Sequence, residues 1–231
     1  MKARVQHNRT VLVGLLLNCV WACGENNDAP DPVTNETEIS LASCTTTIGD
    51  DVPDFFNTYF KCVTIEKSGN TIVITSDGLP PHPSFYYSEA SANHTAFVSQ
   101  GSGYKQNPNW IATQELSITI PLTPSPNNHT IDSALVDGVV GTSLAEYGMG
   151  TVGIALNGVS LFNPLAAPGD VIENEKYTFD PYNGHPEIRG NYHYHTTTAG
   201  PLEVLKAAGY TTETAPESAT VELYGILCDG T

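Results

Sequence analysis

The chain has 231 residues and a formal net charge of −16, with 25 acidic against 9 basic side chains. A field of that sign repels nucleic acid and anionic lipid surfaces and slightly concentrates cations, so nucleic acid is excluded as an expected partner. The length suits one domain with a real core.

The first residues, MKARVQHNRTVLVGLLLNCVWAC, read as an export signal over residues 1–22. Lys2, Arg4 and Arg9 precede an apolar run from Val11 to Trp21 that is too short to span a bilayer comfortably. The run ends in a small residue before Cys23, a pattern that resembles a lipoprotein processing box with Cys23 as the lipidated residue. Cleavage there removes three basic residues and no acidic one, which takes the charge to −19. Several acyl chains on one cysteine anchor firmly, whereas one chain is marginal. The expected location is therefore the cell envelope, lipid-anchored at the outer membrane or facing the periplasm, with plain secretion as the alternative. Membrane contact is expected through the lipid anchor alone.

Residues 23–40 are polar, acidic and proline-bearing, and read as a flexible tether. The domain then occupies residues 41–231. Export oxidises thiols, and with Cys19 in the signal and Cys23 at the lipid, Cys44 and Cys62 are the expected disulfide. Cys228, in LYGILCDG, is expected as an inert, buried strand thiol.

Further along, NTIVITSDG, HTAFVSQG, ELSITIPL, GTVGIALNGVSLF, NYHYHTTT and TVELYGILCDG are rich in Val, Ile, Thr and Tyr, and read as strands. PLEVLKAAG is the best helix candidate, with Pro201 at its start and Gly209 at its stop. The fold class that follows is mainly β, a two-sheet or barrel-like single domain with one or two short helices. Two stretches resemble each other, VGIALNGVSLFNP and YGILCDGT, each with a hairpin-type Asn-Gly or Asp-Gly. The second predicts a return strand beyond Thr231, hence a longer natural chain.

The densest chemistry lies in GHPEIRGNYHYHTT. On a strand, His193 and His195 share one face while Tyr192 and Tyr194 take the other. Turn chemistry in NGHP and RGN lets His185 fold back toward the pair. Three nitrogen donors suit zinc or copper better than magnesium or calcium. Imidazoles bind when neutral, so affinity is expected to fall below about pH 6.5. His94 and His129 lie in polar surroundings and read as surface residues, and Tyr86, Tyr87, Tyr192 and Tyr194 as core or pocket lining.

FDPYNGHPEIRGNYHYH resembles the signature of the YHYH domain family, in which an Asp, a Gly-His pair and a Gly-x-Tyr-His-Tyr-His run occur in this order. ITSDGLPPHPSFYY, QNPNWIATQ and GIALNGVSLFNP are similar to further segments of that family, so the resemblance spans roughly residues 60–231. It implies an exported, metal-binding domain and marks His82, Asp180, His185, His193 and His195. His82 would complete the site from a proline-stiffened loop, and Asp180 would support a ligand histidine from behind. Where many relatives have a cysteine before the Gly-His pair, this chain has Tyr182 and Asn183.

Three functions compete at this level. One is an envelope-anchored module that binds a transition metal through His82, His185, His193 and His195. The others are a zinc-dependent hydrolase of an envelope polymer, with Glu187 as the nearest base, and a surface recognition domain with structural histidines. No Ser-His-Asp order can be assigned and no phosphate loop is present, since GSG at 101–103 lacks the strand and helix that make one. Four protein ligands would favour binding, and an open position beside a carboxylate would favour an enzyme.

Overall fold

Residues 30–125, 150–163, 166, 171–216, 220 and 223–230 are described in the computed structural model, and their strands form two open sheets. The first sheet runs β1 (Thr47–Ile48), β2 (Thr64–Ser68), β3 (Thr71–Ser76) and β4 (Leu116–Pro121), with β1 parallel to β2 and the rest antiparallel. The β2–β3 hairpin turns at Gly69, whose φ of 60° is left-handed backbone that glycine enters freely. Alternation puts Ile65, Ile72, Ile74, Ile118 and Ile120 into one core. Each such side chain contributes about 1.5–3 kcal/mol when fully buried, so this cluster rather than the strand edges holds the sheet.

Three short helices accompany the strands among the described residues: α1 (Asp54–Tyr59), α2 (Ile172–Glu175) and α3 (Ala199–Ala207). Phe56 of α1, the following Phe60, and Val204 and Leu205 of α3 pack into the isoleucine core. α3 begins two residues before Pro201, because Thr198 Oγ1 accepts the Gly200 N–H at its N-terminus, and it stops at Gly209, φ 80°.

The second sheet is ordered β7 (Gly184–Pro186), β8 (Tyr192–Tyr194), β6 (Ser160–Phe162), β5 (Thr151–Ala155) and β9 (Gly225–Leu227). Here the two similar stretches pair with each other, Ile154 opposite Ile226. Their shared glycine has a steric cause: a Cβ on Gly153 would stand 2.6 Å from Ile226 O. The Asn157-Gly158 turn closes β5 onto β6, with Gly158 at φ 79° and a bond from Ala155 N–H to Val159 O. This turn also joins the sheets, since Ser76 Oγ donates to Gly158 O at 2.7 Å and Lys61 N–H to Leu156 O.

The two-sheet expectation holds and the barrel-like alternative does not. Of the strand candidates, HTAFVSQG forms no strand. His94 makes an isolated bridge to Ser84, while Val98 is 69% exposed and Phe97 39%, so no sheet covers an alternating face there. The tether boundary also moves. Val33 N–H donates to Ile111 O, Ile39 N–H to Asn93 Oδ1, and both apolar side chains pack on the tyrosine-rich second core. Composition hid this, because two well-spaced apolar residues suffice to fasten an otherwise polar strap.

Cys44 and Cys62 are disulfide-bonded, as expected. Cys228 corrects the sequence reading: it is an exposed free thiol just past β9, because Ile226 takes the buried position of that edge strand. Among the described residues no helix is long and apolar enough to cross a membrane. The signal region, Cys23 and His129 lie outside the described residues.

Candidate metal centre

The site is built on one hairpin. β7 and β8 pair antiparallel with His185 opposite His193, so these two and His195 fall on the same side. The intervening turn is closed by a bond from Gly190 N–H to Glu187 O, with Gly190 at φ 76° and too close to Ala112 for any side chain. Glu187 Oε1 accepts the backbone N–H groups of Arg189 (2.9 Å) and Asn191 (3.3 Å). Glu187 is thus fixed by its own turn.

One ligand atom from each of His185, His193 and His195 lies within 4.8 Å of the others, and His193 Nε2 stands 3.0 Å from His195 Nε2. Their protons can be placed from the partners on the far side of each ring. His193 Nδ1 faces Asn191 O at 2.9 Å and His195 Nδ1 faces Asn163 O at 2.6 Å. Carbonyl oxygens only accept, so both Nδ1 atoms carry hydrogen. For His185, Thr178 Oγ1 donates its proton to Glu175 O and so accepts from His185 Nδ1 at 2.6 Å.

The rings are neutral. Burial holds His185 down to about 3, with His195 adding to the effect; burial also lowers His193 well below its usual value and depresses His195. A neutral imidazole carrying hydrogen on Nδ1 has a bare lone pair on Nε2. The Nε2 atoms of His193 and His195 are therefore two acceptors facing each other, and His185 Nε2, though buried, makes no hydrogen bond. Such an arrangement is costly unless a cation joins it.

Zinc-bound nitrogens at about 2.1 Å would stand roughly 3.4 Å apart around a tetrahedral ion, within the spacing seen here. Fixing each Nδ1–H on an oxygen acceptor is what orients ligand histidines in metal proteins. Phe162 stacks on His193 at 3.7 Å, and Phe179 stands edge-on to His185 at 5.0 Å, which further restrains the rings.

His193 and His195 line an open cleft of about 500 Å³, together with Glu175, Glu187, Arg189 and Asn191. Glu175 Oε1 lies 3.5 Å from His185 Nε2. Sequence reasoning missed Glu175, and also Thr178 and Asn163, which orient two of the rings through contacts 7 and 32 residues distant.

His82 and Asp180 require correction, because both lie on the opposite, tyrosine face of β8. His82 is buried, stacked on Tyr182 at 3.6 Å, with Nε2 2.9 Å from Tyr194 Oη and Nδ1 3.1 Å from Pro83 O. Both its nitrogens are occupied within the core, and burial lowers it to about 3. Asp180 accepts from Ser84 Oγ, Tyr192 Oη and the N–H groups of Tyr182 and Gly184, and supports no ligand histidine. Burial raises its carboxyl to about 6 despite those bonds. Tyr86, Tyr87, Tyr192 and Tyr194 are core residues. His94 is half-buried, its Nδ1 2.8 Å from Tyr87 O.

The family model described as YHYH protein matches residues 117–230, which include the whole histidine hairpin. The match starts downstream of His82 and of the Asn-Pro-Asn segment, so it is shorter than the span suggested by the sequence motifs. No curated protein and no solved structure matches the chain. The signature hairpin, its two-faced register and the matched segment together place this chain in the YHYH protein family.

Proposed function

We propose that this is an exported, lipid-anchored protein of the cell envelope whose YHYH domain holds one transition metal ion, zinc or copper, on Nε2 of His185, His193 and His195. The observation that supports the metal reading is that one ring nitrogen from each of the three histidines lies within 4.8 Å of the others while each Nδ1 faces an oxygen. Export and anchoring rest on the signal-like residues 1–22 and on Cys23, and the acidic charge argues against nucleic acid. Metal analysis of tag-free protein should find close to one equivalent. His193→Ala or His195→Ala should lower this to background, while His94→Ala should not. Wild-type protein that retains neither zinc nor copper after loading would sink the reading. Labelled palmitate should be incorporated by the wild type and not by Cys23→Ser.

A zinc-dependent hydrolase of an envelope polymer is the second reading. It is favoured by one observation: Glu175 and Glu187 line the same cleft as His193 and His195, and three nitrogens would leave a four-coordinate ion one open position.

A further inference from the structure

We infer that the cleft over the histidine triad takes ligands bearing an anionic oxygen group, a phosphate or a carboxylate, held between Arg189 and the open position of the metal. This rests on the metal reading above. Arg189 is the single arginine of the chain beyond Arg9, and it lines this cleft. Its backbone is fixed on both sides: its N–H donates to Glu187 Oε1, and Gln114 Nε2 donates to its carbonyl. The next residue, Gly190, is seated against Ala112. The side chain therefore leaves a rigid turn at the rim of the cleft.

Among the described residues the Arg189 guanidinium has no salt-bridge partner. The nearest carboxylate in sequence, Glu187, spends an oxygen on two turn N–H groups. Neutral histidines add no charge. A divalent ion and one arginine against Glu175 and Glu187 leave the cleft net positive in a chain whose overall charge is −16. The cleft volume, about 500 Å³, admits a small ligand or one unit of a larger one. The planar fork of arginine matches two oxygens of one phosphate or carboxylate, and a metal with a free position takes the third contact.

The test uses detergent-solubilised full-length protein loaded with cobalt(II), titrated with inorganic phosphate and separately with acetate. The visible bands of the bound cobalt report on its free position. Saturable band shifts are expected with at least one anion, and the responding anion identifies the group. In Arg189→Gln, at unchanged cobalt stoichiometry, half-saturation should rise roughly tenfold or more, as for loss of a charge-assisted hydrogen bond. Loaded protein whose bands ignore both anions, or a variant that responds like the wild type, overturns this inference and leaves the metal reading standing. Wild type that takes up no cobalt, zinc or copper removes both.

Discussion

Strand β8 presents tyrosines on one face and histidines on the other, and the two faces treat hydrogen bonding differently. Tyr192 Oη donates to Asp180, which is also held by Ser84 and two backbone N–H groups; Tyr194 Oη meets His82 and Asn157. On this side each hydroxyl is engaged inside the core. On the other face the Nδ1 atoms are engaged but the Nε2 atoms converge as acceptors. A network whose hydroxyls are all engaged inside the core fixes a fold, whereas acceptors that face one another leave a place that a cation could complete. Under the metal reading, one strand separates stability from binding by the period of two.

Breaking the tyrosine face should have the largest effect on folding. Tyr194→Ala should cost about 3–5 kcal/mol in urea unfolding, because it removes a fully buried ring and strands His82 and Asn157. His193→Ala should instead lose the metal while the metal-free domain stays folded. If His193→Ala unfolds the metal-free domain as severely as Tyr194→Ala, the division between faces fails.

Acid should unsettle both faces with a defined sign. His82 and His185 titrate near 3 when folded but near 6.5 when unfolded, so the unfolded chain binds more protons between these values. Stability of the metal-free domain is then lost as pH falls from about 6.5 toward 3, on the order of 4 kcal/mol per such histidine. Asp180 acts oppositely: raised to about 6, it costs stability as pH rises from about 4 to 6, and it offsets one histidine rather than four. Urea titrations across pH 3–7 check the slope, and a flat profile would contradict the buried, neutral rings. Metal should persist well below pH 6.5, lower than the unperturbed histidine value suggests, as a metal-retention series would show.

Removing the disulfide sharpens the comparison from a distance. The double substitution Cys44→Ser, Cys62→Ser should lower stability by about 3 kcal/mol under the chain-entropy model, with metal stoichiometry unchanged. Smallest is Glu175→Gln, which keeps the volume and removes a charge beside His185. Metal affinity should fall about tenfold, measured by competition with a chelator, with little change in urea midpoint.

The face assignment of His193 and His195 was legible because alternation is a local rule, and His185 because Gly and Asn signal a hairpin that brings it opposite His193. The Cys44–Cys62 bond was legible from spacing and from the expectation of export. Glu175, Thr178 and Asn163 were not, since a carbonyl acceptor or a carboxylate arriving from another segment leaves no sequence pattern. His82 misled for the converse reason. Its motif resembled that of the family, but a proline-rich loop fixes direction without revealing which face of a strand it meets.

The strap from Val33 to Ile39 also sets a distance. Under the proposed lipidation, ten residues separate Cys23 from the first fastened residue, where a tether running to residue 40 would supply seventeen. At full extension ten residues reach at most about 35 Å and seventeen about 60 Å. Under that proposal the shorter leash would hold the domain within roughly its own diameter of the bilayer, and a ligand of the cleft would be drawn from the layer next to the membrane rather than from deeper in the compartment.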